Sequence, residues 1–91
     1  MSEYQGWCLD ENKVDVNQGK TTFGYNFIKT ECLEKCKMMV NASGCEYSDI
    51  NGACGYHTLP VSAGSGDSDY TCWVFTKGKI LDGDFVVVGN T

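Results

Sequence analysis

The sequence predicts a small α+β domain in which a single helix packs on antiparallel β-strands and disulfide bonds tie the two together. The chain has only 91 residues but six cysteines. One stretch has the apolar spacing of a helix, and the next alternates as two strands around an Asn-Gly turn. Four of the six cysteines lie in these two stretches, within residues 30–54.

Size and cysteine content indicate a domain that depends on disulfides. A chain of 91 residues buries too little surface for burial alone to give more than marginal stability. Six cysteines in so short a chain are typical of proteins that fold in an oxidising compartment, although they leave many pairings open. The sequence therefore predicts an extracellular, secreted or cell-surface protein.

The charge of the chain narrows the class of partner. The formal net charge is -5 at pH 7, and the seven Lys and Arg residues are scattered. Because this surface would repel phosphates and acidic lipids, we expect no nucleic-acid partner. No apolar run approaches the length of a membrane span, so we expect no membrane insertion. No signal peptide opens the chain, and we expect a processed product to which Met1 was added.

The segment before the helix is predicted to contain short strands. An edge strand is expected over residues 4–9, and a polar turn at residues 10–12 ends it. Residues 14–17 alternate between apolar and polar side chains as a second short strand. Residues 21–27 are rich in aromatic side chains, and their pattern fits either a strand or a packed loop.

The predicted helix follows. Thr30 is its expected N-cap, because a threonine hydroxyl can accept a hydrogen bond from the first turn. Gly44 ends this element or begins the next one. Apolar side chains recur at the spacing of a helix with one buried side, and they are Cys32, Leu33, Cys36, Met39 and Val40.

A β-hairpin is predicted directly after the helix. Asn51 and Gly52 favour a two-residue type I′ turn, because both central residues of that turn have positive φ. In this register Tyr47 pairs with Tyr56. Alternate residues then share the face that meets the helix, namely Cys45, Tyr47, Cys54 and Tyr56. The simplest links between helix and hairpin are Cys36 with Cys45 and Cys32 with Cys54, which the spacing allows without proving.

Further strands are predicted after the hairpin. Pro60 stops the pairing because it cannot donate to a ladder, and residues 62–69 have the composition of an exposed loop. Residues 70–75 form a strand with large side chains on both faces, which indicates a central strand or a contact surface.

The chain is predicted to divide into a main domain, residues 1–75, and a C-terminal β-hairpin extension, residues 76–91. Asp82 and Gly83 give a second turn signal. Strong strand formers follow, namely Phe85, Val86, Val87 and Val88. As a free edge this run would promote aggregation, so we expect it to pair within its own sheet, with another copy or with a larger partner.

The cysteine pattern as a whole resembles the PAN/apple family. ECLEKC falls on the helix, GCEYS and CGYHT fall on the hairpin, and YTCWVF follows. The resemblance covers residues 6–75 and implies a twisted antiparallel sheet wrapped around one helix. The disulfides that it implies are Cys32–Cys54, Cys36–Cys45 and an additional Cys8–Cys72.

Members of that family are binding modules of secreted or surface proteins, and they hold proteins or carbohydrates. The resemblance thus implies a non-catalytic adhesion or binding module that needs no cofactor. A structural subunit of an extracellular assembly or filament, joined through residues 85–88, is the alternative. A secreted messenger or protease inhibitor has less support, and an enzyme has the least.

Exposed aromatic and acidic side chains are the candidates for ligand contacts. Aromatic rings stack on the apolar faces of sugar rings, and the candidates of this kind are Trp73, Phe75 and Tyr25. Asp67 and Asp69, in the loop beside the predicted last strand, are the polar candidates. The opposing interpretation places most of the aromatic rings in the core of so small a domain.

Three other features of the sequence bear on function. Asn41 opens an Asn-x-Ser sequon and is a candidate for glycosylation. His57 has no nucleophile signature near it, so a surface histidine is expected. No metal site is predicted, because structural zinc sites use closely spaced cysteine pairs, whereas Cys45 and Cys54 each stand alone in the sequence.

Overall fold

The computed structural model describes residues 1–16 and 19–75, and in them it has the predicted α+β fold with one helix on an antiparallel sheet. The predicted extension, residues 76–91, lies outside the described residues. The elements in chain order are β1 (Ser2–Gln5), β2 (Cys8–Leu9), β3 (Lys20–Gly24), α1 (Lys29–Lys37), β4 (Gly44–Ser48), β5 (Cys54–His57), β6 (Ala63–Gly64) and β7 (Tyr70–Val74).

Five of these strands form the main sheet, in the order β1-β7-β4-β5-β3, and β2 pairs with β6 in a separate two-stranded ribbon. Strand β7 pairs with β1 on one side and with β4 on the other. The strand predicted over residues 70–75 is therefore central, which explains why both of its faces carry large side chains. The predicted loop over residues 62–69 contains the short strand β6.

The edge strand predicted over residues 4–9 is divided into β1 and β2. The chain turns at Gly6, whose φ of +109° is a conformation that L side chains rarely adopt. The Gly6 N–H donates to the Tyr70 carbonyl at 2.7 Å, which fixes this turn against the main sheet. Of the strand predicted over residues 14–17, the described part forms only an isolated bridge between Asp15 and Leu9.

Helix α1 begins and ends earlier than its apolar spacing predicts. The N-cap is Ile28, so the prediction of Thr30 is wrong. The Met39 N–H donates to the Cys36 carbonyl at 3.0 Å, a tighter turn than that of an α-helix, and it closes the helix after Lys37. Val40 is consequently not on the buried side of a helix but 92% exposed.

The hairpin register differs from the predicted one by two residues. Tyr47 pairs with Cys54 rather than with Tyr56, and a five-residue loop, residues 49–53, replaces the type I′ turn. A shift of two residues preserves the alternation of side chains. The expected four residues therefore still share the face toward the helix, namely Cys45, Tyr47, Cys54 and Tyr56.

Contacts with the segment before the helix account for this loop. The carbonyl of Asn51 accepts a hydrogen bond from the Asn26 N–H, and the carbonyl of Gly52 accepts one from the Phe27 N–H, each at 3.0 Å. Gly52 alone of the two turn residues has positive φ, at +69°. Tertiary docking thus overrides the local preference for a two-residue turn.

Three disulfides hold the elements together. Cys32–Cys54 and Cys36–Cys45 join α1 to strands β5 and β4, and Cys8–Cys72 joins β2 to β7. These are the pairs that the resemblance implies, and the first two are also the simplest pairs by spacing.

The main sheet buries apolar side chains on both faces. Under α1 the core contains Trp73, Tyr47 and the two helix disulfides. On the opposite face Val16 and Val61 pack around Cys8–Cys72. The β2–β6 ribbon covers only part of this second face, and the uncovered part contains the candidate site.

Candidate functional site

The uncovered part of the sheet face opposite α1 forms an open groove. It consists of two adjoining depressions of about 220 and 260 Å³, which share Lys20, Glu46 and Tyr70. We call it the sheet-face groove, and its lining includes Trp7, Lys20, Thr22, Tyr25, Glu46, Ser48, Gly55 and Tyr70.

Strand alternation aims these side chains away from the helix. Glu46 and Ser48 alternate on β4 with Cys45, whose sulfur is bonded under α1. On β5, Gly55 faces the groove, and a Cβ at that position would lie 2.8 Å from the Thr21 carbonyl oxygen. A glycine there lets β3 approach β5 closely and leaves the floor of the groove free of a side chain.

A buried carboxylate fixes an ammonium group on the floor of the groove. Glu46 Oε2 accepts a hydrogen bond from Lys20 Nζ at 2.8 Å. Glu46 Oε1 accepts one from His57 Nε2 at 3.0 Å and one from the Cys8 N–H at 3.0 Å. Because an ionised carboxylate only accepts hydrogen bonds, His57 carries a proton on Nε2.

These donors keep the carboxylate of Glu46 ionised. Burial by itself would raise the pKa of this carboxyl, but hydrogen bonds from His57, Lys20 and the Cys8 N–H outweigh burial and lower the pKa from 4.5 to about 2. Because the carboxylate already accepts hydrogen bonds from three donors, Glu46 positions Lys20 and does not itself bind a ligand.

The prediction that His57 is a surface histidine is wrong. Its side chain is 0% exposed. It faces away from the helix, as expected, but this part of the face is covered, since Cys8 of β2 binds the same Glu46 oxygen. Sequence reasoning missed the cluster because Lys20 is distant in the chain from the hairpin that carries Glu46 and His57, and the three residues match no motif. The one available signal was a glutamate alternating with cysteine in a strand predicted to be paired.

Aromatic rings border the groove at two places. Tyr70 packs edge-on against Trp7, with ring centroids 5.4 Å apart. Tyr25 is 63% exposed and borders the other depression. The groove therefore combines surfaces for stacking with hydrogen-bonding groups from Lys20 and Thr22.

Of the five predicted ligand-binding residues, Tyr25 alone lines the groove. Trp73 is 1% exposed in the core under α1, and its Nε1–H donates to Glu3 Oε1 at 3.1 Å. Its ring is thus covered and cannot stack on a ligand, which corrects the prediction. Phe75 is half-buried against the same core.

The two acidic candidates lie in the loop before β7. The Asp69 N–H donates to Asp67 Oδ1 at 2.9 Å, a local turn that organises the loop rather than the groove. The predicted glycosylation residue Asn41 is exposed in the turn after α1, where a glycan has room. Its modification stays a prediction.

Two clusters in the described residues contain the side-chain types that bind metals. One is Cys8, Glu46 and His57, and the other is Cys32, Cys36, Cys45 and Cys54. In the oxidised chain every one of these sulfur atoms is bonded to another sulfur and is not a thiolate. The fold nevertheless brings together cysteines that stand alone in the sequence.

The three disulfides indicate an oxidising environment. Within residues 1–16 and 19–75, no helix has the length and apolar character needed to span a bilayer. No protein-family model matches the chain, no curated protein matches it and no solved structure matches it.

Proposed function

We propose that the chain is a secreted or cell-surface binding module, non-catalytic and of PAN/apple type, that recognises a protein or carbohydrate ligand through the sheet-face groove. The observation that supports this most is the composition of the groove. A positioned ammonium, that of Lys20, lies on its floor, and the rings of Tyr25 and Tyr70 border it. Hydrogen-bond donors beside exposed aromatic rings are the combination that a sugar or a polar protein surface needs.

The scaffold around the groove favours binding. Disulfides tie both β4 and β5 to α1, and the third ties β7 to β2. These strands carry most of the groove, so its side chains are held in place before a ligand arrives. Little conformational entropy is then lost on binding.

The chemistry of the buried cluster supports a non-catalytic role. A general base must reach the proton that it abstracts. His57 is 0% exposed, and the carboxylate of Glu46 is occupied by three donors. These groups serve the proposed module by positioning Lys20.

A binding screen tests the proposal. The oxidised protein is applied to a glycan array and to a panel of extracellular proteins, alongside a Tyr25→Ala variant. We expect a ligand that the wild-type protein retains and the variant loses. Retention that is equal for the two proteins would reject the groove as the site.

A second candidate function is assembly through strand addition. Strands β1 and β3 are the edges of the main sheet in the described part of the chain, and all four residues of β1 are exposed. We propose that residues 85–88 of one copy could add to such an edge of another. Deleting residues 80–91 would then convert an assembly to monomers, measured by light scattering. A monomer that binds its ligand through the groove would be monomeric both before and after the deletion, and it would still bind its ligand.

A further inference from the structure

We propose that the four cysteines under α1 form a zinc site when their two disulfides are reduced. Their sulfur atoms all lie within 4.8 Å of one another, and no member is more than 1% exposed. The four are Cys32 and Cys36 of α1, Cys45 of β4 and Cys54 of β5. This site is separate from the sheet-face groove, which lies on the other face of the sheet.

One distance between unbonded sulfur atoms already matches a tetrahedral site. With zinc–sulfur bonds of about 2.3 Å, the sulfur atoms of such a site are about 3.8 Å apart. The Sγ atoms of Cys32 and Cys45 belong to different disulfides and are 3.7 Å apart. The two bonded pairs must separate to this distance, and the three remaining pairs already lie within 4.8 Å. Rotation of the side chains can provide these adjustments.

Secondary structure presents these cysteines independently of the disulfides. Cys32 and Cys36 are one helical turn apart, and strands β4 and β5 are paired by their own backbone hydrogen bonds. Tyr47 Oη also donates to the Phe27 carbonyl at 2.8 Å, which ties the hairpin to the segment before α1. A single metal ion could therefore replace two covalent links between helix and hairpin.

The charge of the site is partly compensated by its surroundings. Four thiolates and one Zn²⁺ carry a net charge of about −2. Lys35 lies in the last turn of α1, and its ammonium is 5.1 Å from the centre of the Phe23 ring, which packs on this cluster. A positive charge on the helix that carries Cys32 and Cys36 favours an anionic centre there, because charges interact more strongly near a protein interior than in bulk water.

The conversion requires an external dithiol as reductant. Each disulfide takes up two electrons and two protons from one dithiol, which closes to a cyclic disulfide. The four thiols then bind one Zn²⁺ and release four protons. Because binding requires the folded arrangement, the free energy of metal binding stabilises the reduced fold.

The experiment uses Co²⁺ as a spectroscopic probe for Zn²⁺. The full chain is reduced in denaturant with a dithiol, freed of the dithiol and refolded without oxygen while Co²⁺ is added. We expect saturation at one Co²⁺ per chain, absorption bands of tetrahedral thiolate coordination, displacement by Zn²⁺, and a far-ultraviolet circular dichroism spectrum like that of the oxidised protein. Bands without the native spectrum, or no saturation at one equivalent, would overturn the proposal.

Two double variants identify the ligands. Cys36→Ser with Cys45→Ser should bind Co²⁺ at least about 100-fold more weakly, because two of four ligands are lost. Cys8→Ser with Cys72→Ser is the matched control and should bind like the wild type, since the reduced wild type also lacks that bond. Equal affinity of the two variants would contradict the assignment.

Discussion

The ammonium of Lys20 and the carboxylate of Glu46 meet at 2.8 Å although 26 residues separate them in the chain. The two side chains differ in exposure, 28% for Lys20 and 8% for Glu46. Lys20 can therefore still contact a ligand, whereas Glu46 lies beneath it. His57 and the Cys8 N–H bind the other oxygen of this carboxylate, Oε1. Glu46 is therefore fixed, and it holds the Lys20 ammonium in a defined position in the groove.

Replacing the buried carboxylate should destabilise the protein. Glu46→Gln removes the charge that three donors share, and we expect the free energy of unfolding to fall by about 2 to 3 kcal/mol. Urea denaturation measures it. The matched control is Glu34→Gln, since Glu34 is exposed and makes an ion pair with Lys37 at 3.6 Å, and there the change should be below about 0.5 kcal/mol. Equal midpoints for the two variants would contradict the role of Glu46.

The same carboxylate should make stability depend on pH. The pKa of Glu46 is lowered from 4.5 to about 2 in the folded protein, so the unfolded chain takes up a proton first as the pH falls. Its contribution is complete above about pH 4.5, is lost as the pH falls toward about 2, and is on the order of 3 kcal/mol. The measurement is the free energy of unfolding of the wild type and of Glu46→Gln between about pH 6 and about pH 3. The difference between them should shrink on acidification, and a constant difference would refute this assignment.

Tyr25 should contribute to binding and not to stability. Its ring is 63% exposed and borders the groove, so Tyr25→Ala should weaken binding of the ligand found in the screen by about tenfold or more. The melting temperature should not change. Tyr4→Ala removes the same ring from outside the groove, and it should retain the affinity of the wild type. Loss of affinity in both variants would point to a different surface.

Trp73 should behave in the opposite way. Because it is 1% exposed between the sheet and α1, Trp73→Ala should lower the free energy of unfolding by about 3 to 5 kcal/mol. Chemical denaturation followed by circular dichroism measures this loss. A variant that keeps the wild-type stability but no longer binds ligand would restore Trp73 as a contact residue.

Much of the fold could be predicted because it depends on local pattern and cysteine spacing. Alternation predicts which side chains of β4 and β5 face the helix. This assignment is correct although the predicted register is wrong by two residues, because a shift by an even number leaves each side chain on the same face. Spacing makes Cys36 with Cys45 one of the simplest links between helix and hairpin without proving it, and the full set of three pairs is what the resemblance implies. Large side chains on both faces of residues 70–75 indicated either a central strand or a contact surface, and the strand order shows that the strand is central.

The remaining features depend on contacts between distant segments. The loop at residues 49–53 is set by hydrogen bonds from the N–H groups of Asn26 and Phe27, which a local turn preference does not include. The groove could not be predicted because Lys20 reaches Glu46 only when β3 lies beside β5 in the sheet. The location of Trp73 could not be predicted either, because a large aromatic ring on a strand is equally compatible with a core and with a binding surface.

The most direct test of the proposed function is a nuclear magnetic resonance titration. The ¹⁵N-labelled, oxidised protein is titrated with the ligand retained in the screen, and the amide shifts are mapped onto the sheet. We predict that the largest shifts fall on Lys20, Thr22, Tyr25 and Tyr70, with little change on α1. Shifts confined to α1 or to the loop before β7 would show that the ligand binds elsewhere and would contradict the groove as the binding site.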